Sequence, residues 1–331
     1  MHAVRITLLS RQGVASLPPA VLDELTAAHR LDAHVLVRAP SRTRAMRLLA
    51  GTQVLAATNA CLPPLDDGVL AAAPFLRDVV LYATGADHVD PDALRRAGVR
   101  LTLLPDYATV AVAEHSLALL LALATRLHLA ADRSRGAAPP TVSLRGTELG
   151  GKVLGVVGLG RIGTHVARLG EGIGMRVITH DPRPGAVGPW PRVGLAELLR
   201  TGDAVCVCAS RRFGAPALIG QPEIAAMRPG ALLVNASRAA LVDTEAAVRA
   251  LRAGRLRGYG VDDTVLDPDR HADLLAQGRV LQTGHSAWWR DEVLERGARM
   301  WGEALLRVVA EVAADLAAQV ADGDTGVAVP A

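Results

Sequence analysis

Aromatic residues, cysteines and lysines are all scarce in this chain. Phe, Trp and Tyr together make up 3% of the 331 residues, so the hydrophobic cores must consist mainly of Ala, Val and Leu. The same scarcity disfavours a protein that stacks nucleobases on aromatic platforms. The three cysteines, Cys61, Cys206 and Cys208, are too few, and odd in number, for a disulfide framework, which favours a reducing, cytoplasmic setting.

Cysteines with the spacing of a metal site are also lacking. Cys206 and Cys208 lie two residues apart in an apolar run, which places them on the same face of a predicted strand. No neighbouring Cys or His completes a zinc shell, so we predict that both thiols pack in a core and that the chain has no metal site.

Positive charge is spread along the chain instead of being clustered. The formal net charge is +3, and all 36 basic side chains except Lys152 are arginines. A nucleic-acid-binding protein concentrates its positive charge on one face or tail, so we expect no nucleic-acid partner. The most apolar segment, residues 110–130, contains Glu114, His115, Arg126 and His128, and the N-terminus lacks the apolar region of a signal peptide. Neither membrane insertion nor secretion is predicted.

The length of the chain and its 50% hydrophobic content predict about two folded domains. In the first part, short β-branched runs alternate with helical patterns, which indicates a parallel sheet with crossover helices. The strand candidates there are VRITLLS, AHVLV, QVLAAT, RDVVLYA and VRLTLL. One long helix is predicted at residues 109–133, and a polar loop follows at residues 136–151.

A second α/β alternation begins at Lys152. Its six strand candidates are KVLGVV, MRVITH, AVCVCA, ALLVNAS, LRGYGVD and RVLQTG. The chain closes with a predicted helix at residues 290–319 and a tail of small residues, 322–331, that we expect to fray. The fold class predicted from these patterns is α/β with two successive parallel sheets.

A glycine-rich turn follows the first strand of this second part. Residues 158–163 read Gly-Leu-Gly-Arg-Ile-Gly and open a helical stretch. In a dinucleotide-binding turn, Gly158 would permit the tight bend, Gly160 would let a pyrophosphate approach the backbone, and Gly163 would allow close packing of helix on strand. Arg161 and Ile162 are then also cofactor contacts at the helix N-terminus. The alternative is an ordinary tight strand-to-helix connection.

An acidic residue ends the next strand at the distance this motif requires. Asp181 lies 23 residues after Gly158, and an acid about 20 residues on binds the ribose 2′-hydroxyl in such folds. This favours NAD over NADP. Arg183 weakens the discrimination, because an arginine two residues later is placed to reach a 2′-phosphate. The alternative for Asp181 is the start of a turn before Pro182.

Three polar residues follow strands of the same predicted sheet. Arg238 comes after ALLVNAS, Asp262 ends LRGYGVD, and His285 comes after RVLQTG. Ligands of open parallel sheets bind beyond the carboxyl ends of the strands. Individually, the arginine is also explained by solvation and the histidine by a structural role. Together with a nicotinamide-binding turn, an arginine for a carboxylate and a histidine for proton transfer indicate a 2-oxo acid site.

With these residues in place, the chain resembles the D-2-hydroxyacid dehydrogenase family, which includes phosphoglycerate, formate and phosphite dehydrogenases and the C-terminal-binding protein corepressors. The resemblance runs nearly end to end and is carried by TGADHVD (84–90), VAEHSLALLLAL (112–123), GTELGGKVLGVVGLGRIG (146–163), MRPGALLVNASRAALVD (227–243), GYGVDD (258–263) and GHSAWW (284–289).

The resemblance implies two Rossmann/flavodoxin-like domains. A central, doubly wound NAD-binding domain would span residues 106–290, and a substrate domain would be split between residues 1–105 and 291–331. The active site would lie between the domains of what is usually a homodimer. NAD is the implied cofactor, and the implied partner is a small-molecule 2-oxo or 2-hydroxy acid.

The resemblance also implies roles for single residues. Arg238 resembles the family arginine that binds the substrate carboxylate and carbonyl, His285 resembles the general acid or base, and Asp262 resembles the residue near the nicotinamide carboxamide. The substrate-domain loop whose amides hold the carboxylate corresponds to Thr84, Gly85, Ala86 and Asp87. Trp288 is a further candidate for the wall of the substrate site, with a core or interface aromatic as an equal alternative.

Val265 departs from the family pattern at a catalytically important position. The family normally reads Asp-Val-Phe-Glu, and its glutamate hydrogen-bonds the catalytic histidine, fixes its orientation and raises its pKa. In this chain the stretch is Asp262-Asp263-Thr264-Val265, and a valine does neither. Ala239 and Ala240 likewise replace the glycines that usually follow the arginine, which adds Cβ atoms near the ligand.

Three interpretations follow from the missing glutamate. In the first, the enzyme still reduces a 2-oxo acid, for which an acidic or phosphonate-bearing one is a candidate, with His285 oriented by Asp263, Asp267 or a water. In the second, the chemistry is altered, because a neutral His285 is suited to accepting a proton. In the third, the chain is a non-catalytic NAD(H)-dependent binding or scaffold protein, and HSAWW resembles the corepressors' HSAWY.

Overall fold

The computed structural model describes residues 2–185 and 188–321, so the tail predicted to fray, 322–331, lies outside the described residues. The chain divides into two compact units. The first consists of Met1–Tyr107 together with Asp291–Ala331, and the second of Ala108–Arg290. Each unit contains one parallel sheet flanked by helices, which confirms the predicted α/β class with two sheets.

The first unit is built on a five-stranded parallel sheet in the order β2-β1-β3-β4-β5. Its strands are β1 (Arg5–Ser10), β2 (Arg30–Val35), β3 (Val54–Thr58), β4 (Asp78–Tyr82) and β5 (Arg100–Leu103). The predicted range of the second strand, residues 33–37, was wrong. β2 is an edge strand that pairs with β1 from Arg5↔Arg30 to Ser10↔Val35, and pairing stops where β1 ends.

Helices from both chain ends cover this sheet. They are α1 (Pro19–Ala28), α2 (Arg42–Leu49), α3 (Asp67–Ala71), α4 (Pro91–Arg96) and the long α12 (Asp291–Ala321). The last of these packs against β4 through Trp301, which is fully buried and donates its indole N–H to the carbonyl of Val80 at 3.1 Å. A buried indole needs such an acceptor, and the contact ties the C-terminal helix to the N-terminal sheet.

The second unit contains a six-stranded parallel sheet in the order β11-β10-β9-β8-β6-β7. Its strands are β6 (Val153–Val157), β7 (Arg176–His180), β8 (Ala204–Val207), β9 (Ala231–Asn235), β10 (Leu256–Val261) and β11 (Val280–Gln282), and all six were predicted. The strand order reverses beside β6, with β7 on one side and β8 on the other. Ligands of doubly wound sheets bind beyond the carboxyl ends of the strands at such a switch point.

Seven helices lie in the part of this unit that the structure describes. They are α5 (Thr109–Thr125), α6 (Leu127–Ser134), α7 (Arg161–Gly172), α8 (Leu195–Thr201), α9 (Gln221–Ala226), α10 (Thr244–Arg252) and α11 (Ala272–Ala276). Residues 2–185 and 188–321 also include three short 3₁₀ turns, at Gly13–Ser16, Asn59–Cys61 and Ala239–Leu241.

The single long helix predicted at residues 109–133 is broken. Arg126 adopts a left-handed conformation (φ 61°), and α5 and α6 meet at 67°. A continuous helix would give the carbonyl of Ala124 to the amide four residues on, but that carbonyl accepts the amide of Thr147 at 2.8 Å. Arg126 also donates to the carbonyl of Gln277 at 2.5 Å. Long-range bonds therefore override the helical pattern.

Among the described residues, no single helix is long and apolar enough to cross a membrane. The pair α5 and α6 satisfies the length and hydropathy criteria only when the two helices are taken together across their bend.

Candidate active site

The glycine-rich turn between β6 and α7 leaves no room for side chains at two of its three glycines. Gly158 has φ +96°, and a Cβ there would lie 2.7 Å from the amide nitrogen of Ala209. A Cβ on Gly163 would lie 1.9 Å from the carbonyl oxygen of Gly158. Both positions therefore require glycine, the first for its left-handed backbone and the second for the close approach of helix to turn.

Gly160 leaves the N-terminus of α7 open. A Cβ at this position would meet only a guanidinium nitrogen of Arg183, at 3.8 Å. Arg161 is exposed as the first residue of α7, and Ile162 packs against the core of the unit. Open backbone amides at the start of a twelve-residue helix suit a pyrophosphate. The turn therefore fits a dinucleotide cofactor.

Asp181 is buried at the end of β7 and holds the turn in place. Its carboxylate accepts the amide of Leu159 at 2.8 Å. Arg183 grips the same carboxylate through Nε at 3.0 Å, Nη2 at 2.8 Å and its own amide at 2.9 Å. These bonds, above all those from the Arg183 side chain, hold the pKa of Asp181 well below its usual range. The predicted ribose-binding acid thus lies beside the turn, already paired with an arginine.

A second arginine packs behind this pair. Arg192 donates to the backbone carbonyls of Asp181 and Arg183. The side chain of Arg183 itself remains two-thirds exposed. The end of the predicted ribose site therefore presents cationic groups as well as the carboxylate.

The turn after β9 carries Arg238. Asn235, the last residue of the strand, accepts the amide of Ser237 at 3.1 Å and donates its side-chain N–H to the carbonyl of Arg238 at 2.7 Å. The Ser237 hydroxyl donates to Val207 of β8 at 3.0 Å. The Arg238 guanidinium is half-buried and donates to the Ser237 carbonyl at 3.0 Å. Side-chain bonds from Asn235 and Ser237 thus fix the backbone that carries the arginine.

Asp262 is buried at the end of β10 and binds the loop that carries His285. Its carboxylate accepts the hydroxyl of Thr283 at 2.8 Å and the amides of Ser286 at 2.8 Å and Ala287 at 3.0 Å. The sequence suggested a contact with the cofactor for this residue and gave no sign of these bonds. Asp262 fastens the loop on both sides of His285.

The loop at His285 has an unusual backbone. Gly284 has φ +61° and His285 has φ +63°, and Arg126 is the one other non-glycine residue of the described chain with a positive φ. A left-handed conformation costs a non-glycine residue about 1 kcal/mol or more. The His285 side chain is exposed, and none of the described residues forms a hydrogen bond with its ring.

His115, on α5, completes the polar cluster beside Asp262. Its Nε2 lies 2.9 Å from the Thr283 hydroxyl and 3.7 Å from Asp262, and its Nδ1 lies 3.3 Å from Nη2 of Arg290. Burial lowers the pKa of His115, although the nearby Asp262 acts in the opposite direction. The sequence marks this residue only as part of the VAEH motif, and a role for it was not predicted. Its one signal was a histidine within the apolar face of a core helix.

Val265 has an apolar side chain, so it provides no hydrogen-bonding group for His285. Its side chain packs against the hydrophobic core of the unit. The amides of Val265 and Leu266 donate to Oε1 of Gln282 at 3.2 and 3.0 Å, and Gln282 donates back to the carbonyl of Leu266 at 3.2 Å. The segment where the family has its glutamate is therefore fixed by a glutamine on β11.

Asp263 and Asp267 are the two carboxylates that could take the place of the family glutamate beside His285. Both form hydrogen bonds with other groups. Asp263 accepts the amide of Thr264 at 2.8 Å. Asp267 accepts two downstream amides, of Asp269 and Arg270, which lower its pKa. Within the described chain, neither forms a bond with His285. The interpretation in which one of them orients the ring therefore has no contact in its favour.

The remaining candidate residues lie in both units. Trp288 is half-buried and stacks edge-on against Trp289, with ring centroids 5.0 Å apart. Thr84, Gly85, Ala86 and Asp87 form the loop after β4 in the first unit, where Ala86 packs against the core.

The described residues contain no group of three or more His, Cys, Asp and Glu side chains suited to a metal ion. Cys206 and Cys208 pack in or against the core, and burial raises both pKa values, that of Cys206 to about 12.

Comparisons with known proteins give consistent matches. A family model described as D-isomer specific 2-hydroxyacid dehydrogenase, NAD binding domain, matches residues 117–287. Glyoxylate reductase of Thermococcus onnurineus is 35% identical over 233 residues, which cover 67% of this chain and 70% of that protein. D-3-phosphoglycerate dehydrogenase of Mycobacterium leprae is 34% identical over 75% of this chain, which spans about half (48%) of that longer protein. The crystal structure of the TT0316 protein from Thermus thermophilus is 35% identical, with a TM-score of 0.78 over 92% of this chain and 97% of that one.

Proposed function

The chain belongs to the D-isomer specific 2-hydroxyacid dehydrogenase family and is a nicotinamide-dependent oxidoreductase, and we propose that it interconverts a 2-oxo acid and a D-2-hydroxy acid with Arg238 and His285 as its catalytic residues. The observation that carries the proposal is their place in the fold. Arg238 follows β9 and His285 follows β11, and β10 lies between these strands. Both residues thus lie at the carboxyl edge of the sheet whose glycine-rich turn fits the cofactor.

Each polar group has one role in the proposed reaction. The nicotinamide cofactor supplies the hydride for the carbonyl carbon when it is bound. The Arg238 guanidinium binds the substrate carboxylate and stabilises the negative charge that develops on the carbonyl oxygen. His285 donates the proton that this oxygen takes up, and in the reverse direction accepts it from the hydroxyl group. Asp262 and Thr283 hold the loop that presents the histidine.

The substrate contacts proposed beyond these two residues are the backbone amides of Thr84–Asp87 and the ring of Trp288. The amides would bind the substrate carboxylate, and the half-buried indole would limit the size of the substrate side chain. We propose NAD as the cofactor, a small-molecule 2-oxo acid as the partner and a homodimer as the assembly. We expect neither a nucleic acid nor a membrane as a partner, and we expect the protein to be cytoplasmic.

The proposal is tested by NADH consumption with a panel of 2-oxo acids that includes dicarboxylates and phosphorus-containing acids. Turnover that disappears in Arg238→Ala supports the proposed reaction. Absence of turnover, with NADH binding confirmed by fluorescence, would favour the second candidate, a member with altered chemistry or an NAD(H)-dependent binding protein. The observation behind that candidate is the His285 ring, which has no carboxylate partner in the described chain.

Removing Arg183 is expected to sharpen the preference for NADH. In Arg183→Ala the Asp181 carboxylate loses its guanidinium partner and gains acceptor capacity for a ribose 2′-hydroxyl. A 2′-phosphate would lose a charge-assisted bond worth about 1.5–3 kcal/mol. The ratio of kcat/KM for NADH to that for NADPH should therefore rise by about tenfold or more. Arg168→Ala, an exposed arginine on α7, makes the same charge change as a control, and an equal rise there would contradict the explanation.

Installing a glutamate at position 265 tests the role of the missing carboxylate. If the new carboxylate of Val265→Glu reaches His285, it stabilises the imidazolium, and the ring stays protonated to a higher pH. The reductase rate should rise, and the basic limb of its pH profile should shift upward by about one unit. Val265→Gln, similar in shape but uncharged, should leave the profile in place. Because Val265 packs on the core, both variants should lower Tm, and a rate that rises in neither would show that this site works without a carboxylate at position 265.

A further inference from the structure

Four side chains in the second unit form one directed hydrogen-bond chain that ends beside His285. Arg290 can only donate, so Nδ1 of His115 accepts its Nη2 proton at 3.3 Å. Nε2 of the same ring then carries the hydrogen and donates to the Thr283 hydroxyl at 2.9 Å. The hydroxyl proton is left to donate to Asp262 at 2.8 Å. An arginine at one end and a carboxylate at the other fix every direction.

This chain requires a neutral His115. Asp262 at the end of β10 and Arg290 before α12 are the charged groups of the described chain that act on the imidazole. Burial and the charge of Arg290 both lower the pKa of His115, against the opposing effect of Asp262. Protonation would place a hydrogen on Nδ1 opposite the Arg290 N–H, and this would set two donors and two positive charges against each other. The bond to Arg290 that holds the ring then breaks. The charged ring keeps its Nε2 hydrogen but is drawn from the Thr283 hydroxyl towards the Asp262 carboxylate, 3.7 Å away.

The Thr283 hydroxyl has a competing acceptor. Its oxygen lies 3.5 Å from the carbonyl of Val261, in addition to 2.8 Å from Asp262. With His115 donating to the hydroxyl oxygen, the hydroxyl proton points to Asp262. Without that donor the hydroxyl is free to rotate toward Val261, and Asp262 then keeps only its two amide bonds. The loop that follows contains two consecutive left-handed residues, Gly284 and His285, and such a backbone persists only where its surroundings hold it.

We propose that His115 is a positioning residue for His285, acting in its neutral form through Thr283 and Asp262 on the backbone of loop 283–287. This inference rests on the proposed function, because it takes His285 as the proton donor to the substrate. In the family, the glutamate holds the histidine ring. In this chain, the contacts of Asp262 hold the backbone on either side of His285 instead. The arrangement accounts for a catalytic loop whose histidine ring has no partner in the described chain.

The test compares His115→Gln with His115→Phe. Glutamine keeps an N–H donor for Thr283 and an oxygen, but does not titrate; phenylalanine keeps the bulk and loses the donor. We expect His115→Phe to lower kcat for 2-oxo acid reduction about tenfold with the Kd for NADH unchanged, as for other residues that orient a catalytic group indirectly. His115→Gln should stay within about threefold of wild type at neutral pH.

The pH profile separates positioning from packing. The folded pKa of His115 lies below its ordinary value, so the neutral ring and its support are present above that pKa and are lost as the pH falls through it. Wild type should show an acidic limb in kcat that His115→Gln lacks. The basic limb, set by the proton donor, should be the same in both. Equal losses in the Gln and Phe variants, or an acidic limb that survives in His115→Gln, would overturn the inference.

Amide hydrogen exchange at Ser286 and Ala287 gives a readout that does not depend on turnover. We expect these two amides to exchange about tenfold faster in His115→Phe than in wild type or His115→Gln. His128→Phe removes an imidazole that bonds the carbonyls of Ala122 and Gly278 and should leave both amides unchanged. If no 2-oxo acid is turned over, the proposed function fails, while the exchange rates still decide the positioning role. Unchanged exchange in His115→Phe would overturn it.

Discussion

Replacing Arg238 by alanine is expected to lower kcat/KM for 2-oxo acid reduction about 1,000-fold while leaving the Kd for NADH unchanged. Removing one preorganised donor to a developing oxyanion typically costs a factor of about 100 to 1,000, and a lost carboxylate bond adds to that. The guanidinium is half-buried at the end of β9 on a turn fixed by Asn235 and Ser237. Asn235 bonds the backbone carbonyl at position 238 and Ser237 bonds Val207. Neither bond uses the Arg238 side chain, so the variant should keep the turn and the fold.

The matched variant is Arg238→Lys. Lysine retains the positive charge but not the planar pair of donors that fits a carboxylate, so its kcat/KM should lie between those of wild type and the alanine variant. Steady-state kinetics, NADH fluorescence titration and a Tm for each variant separate chemistry from cofactor binding and folding. A kcat/KM within tenfold of wild type in Arg238→Ala would remove this residue from the catalytic site.

Much of the fold could be predicted because local patterns and tertiary structure agree. Each buried strand of the second sheet is a short apolar run bounded by turn residues, and all six strands form where those runs occur. The glycine-rich turn at residues 158–163 could also be predicted from the sequence, since a Cβ at Gly158 or Gly163 would collide with backbone atoms. Such steric requirements leave a direct mark on the sequence.

Elements that depend on long-range bonds could not be predicted in the same way. The helical pattern continues through Arg126, yet the helix breaks there because Thr147 takes the carbonyl of Ala124. Likewise, the apolar residues Leu36 and Val37 favour a longer β2, but β1 offers no partners beyond Ser10. In both cases the deciding partner lies more than twenty residues away, and periodicity carries no information about it.

In the candidate site, too, some features follow from local patterns and others depend on long-range contacts. The residues after β9, β10 and β11 were found from their positions, because the carboxyl ends of parallel strands share one edge. The sequence did not reveal what those side chains bind. Asp181 was predicted to bind the ribose and also pairs with Arg183, Asp262 was predicted to lie near the cofactor and also binds a loop, and a role for His115 was not predicted. Side-chain pairing depends on rotamers and burial that a sequence does not specify.

Replacing Asp262 by asparagine is expected to lower kcat about 100-fold and to reduce the free energy of unfolding by about 1–3 kcal/mol, the cost of leaving a buried donor unsatisfied. The two carboxylate oxygens accept the amides of Ser286 and Ala287 and the hydroxyl of Thr283. Asparagine has one acceptor oxygen, so one N–H of the loop would face an NH₂ group. The left-handed backbone at His285 then loses part of its support.

The neighbouring carboxylate supplies the control for this last change. Asp263→Asn removes the same charge one residue away, where, among the described residues, the carboxylate bonds only the adjacent amide of Thr264, and it should leave kcat and Tm nearly unchanged. Two further measurements on Asp262→Asn separate the roles open to this residue. Faster exchange of the Ser286 and Ala287 amides with an unchanged Kd for NADH means that Asp262 acts by holding the loop. A weakened Kd for NADH with unchanged exchange means that it acts on the cofactor, as the family resemblance implies, and the loop must then be held by the remaining contacts.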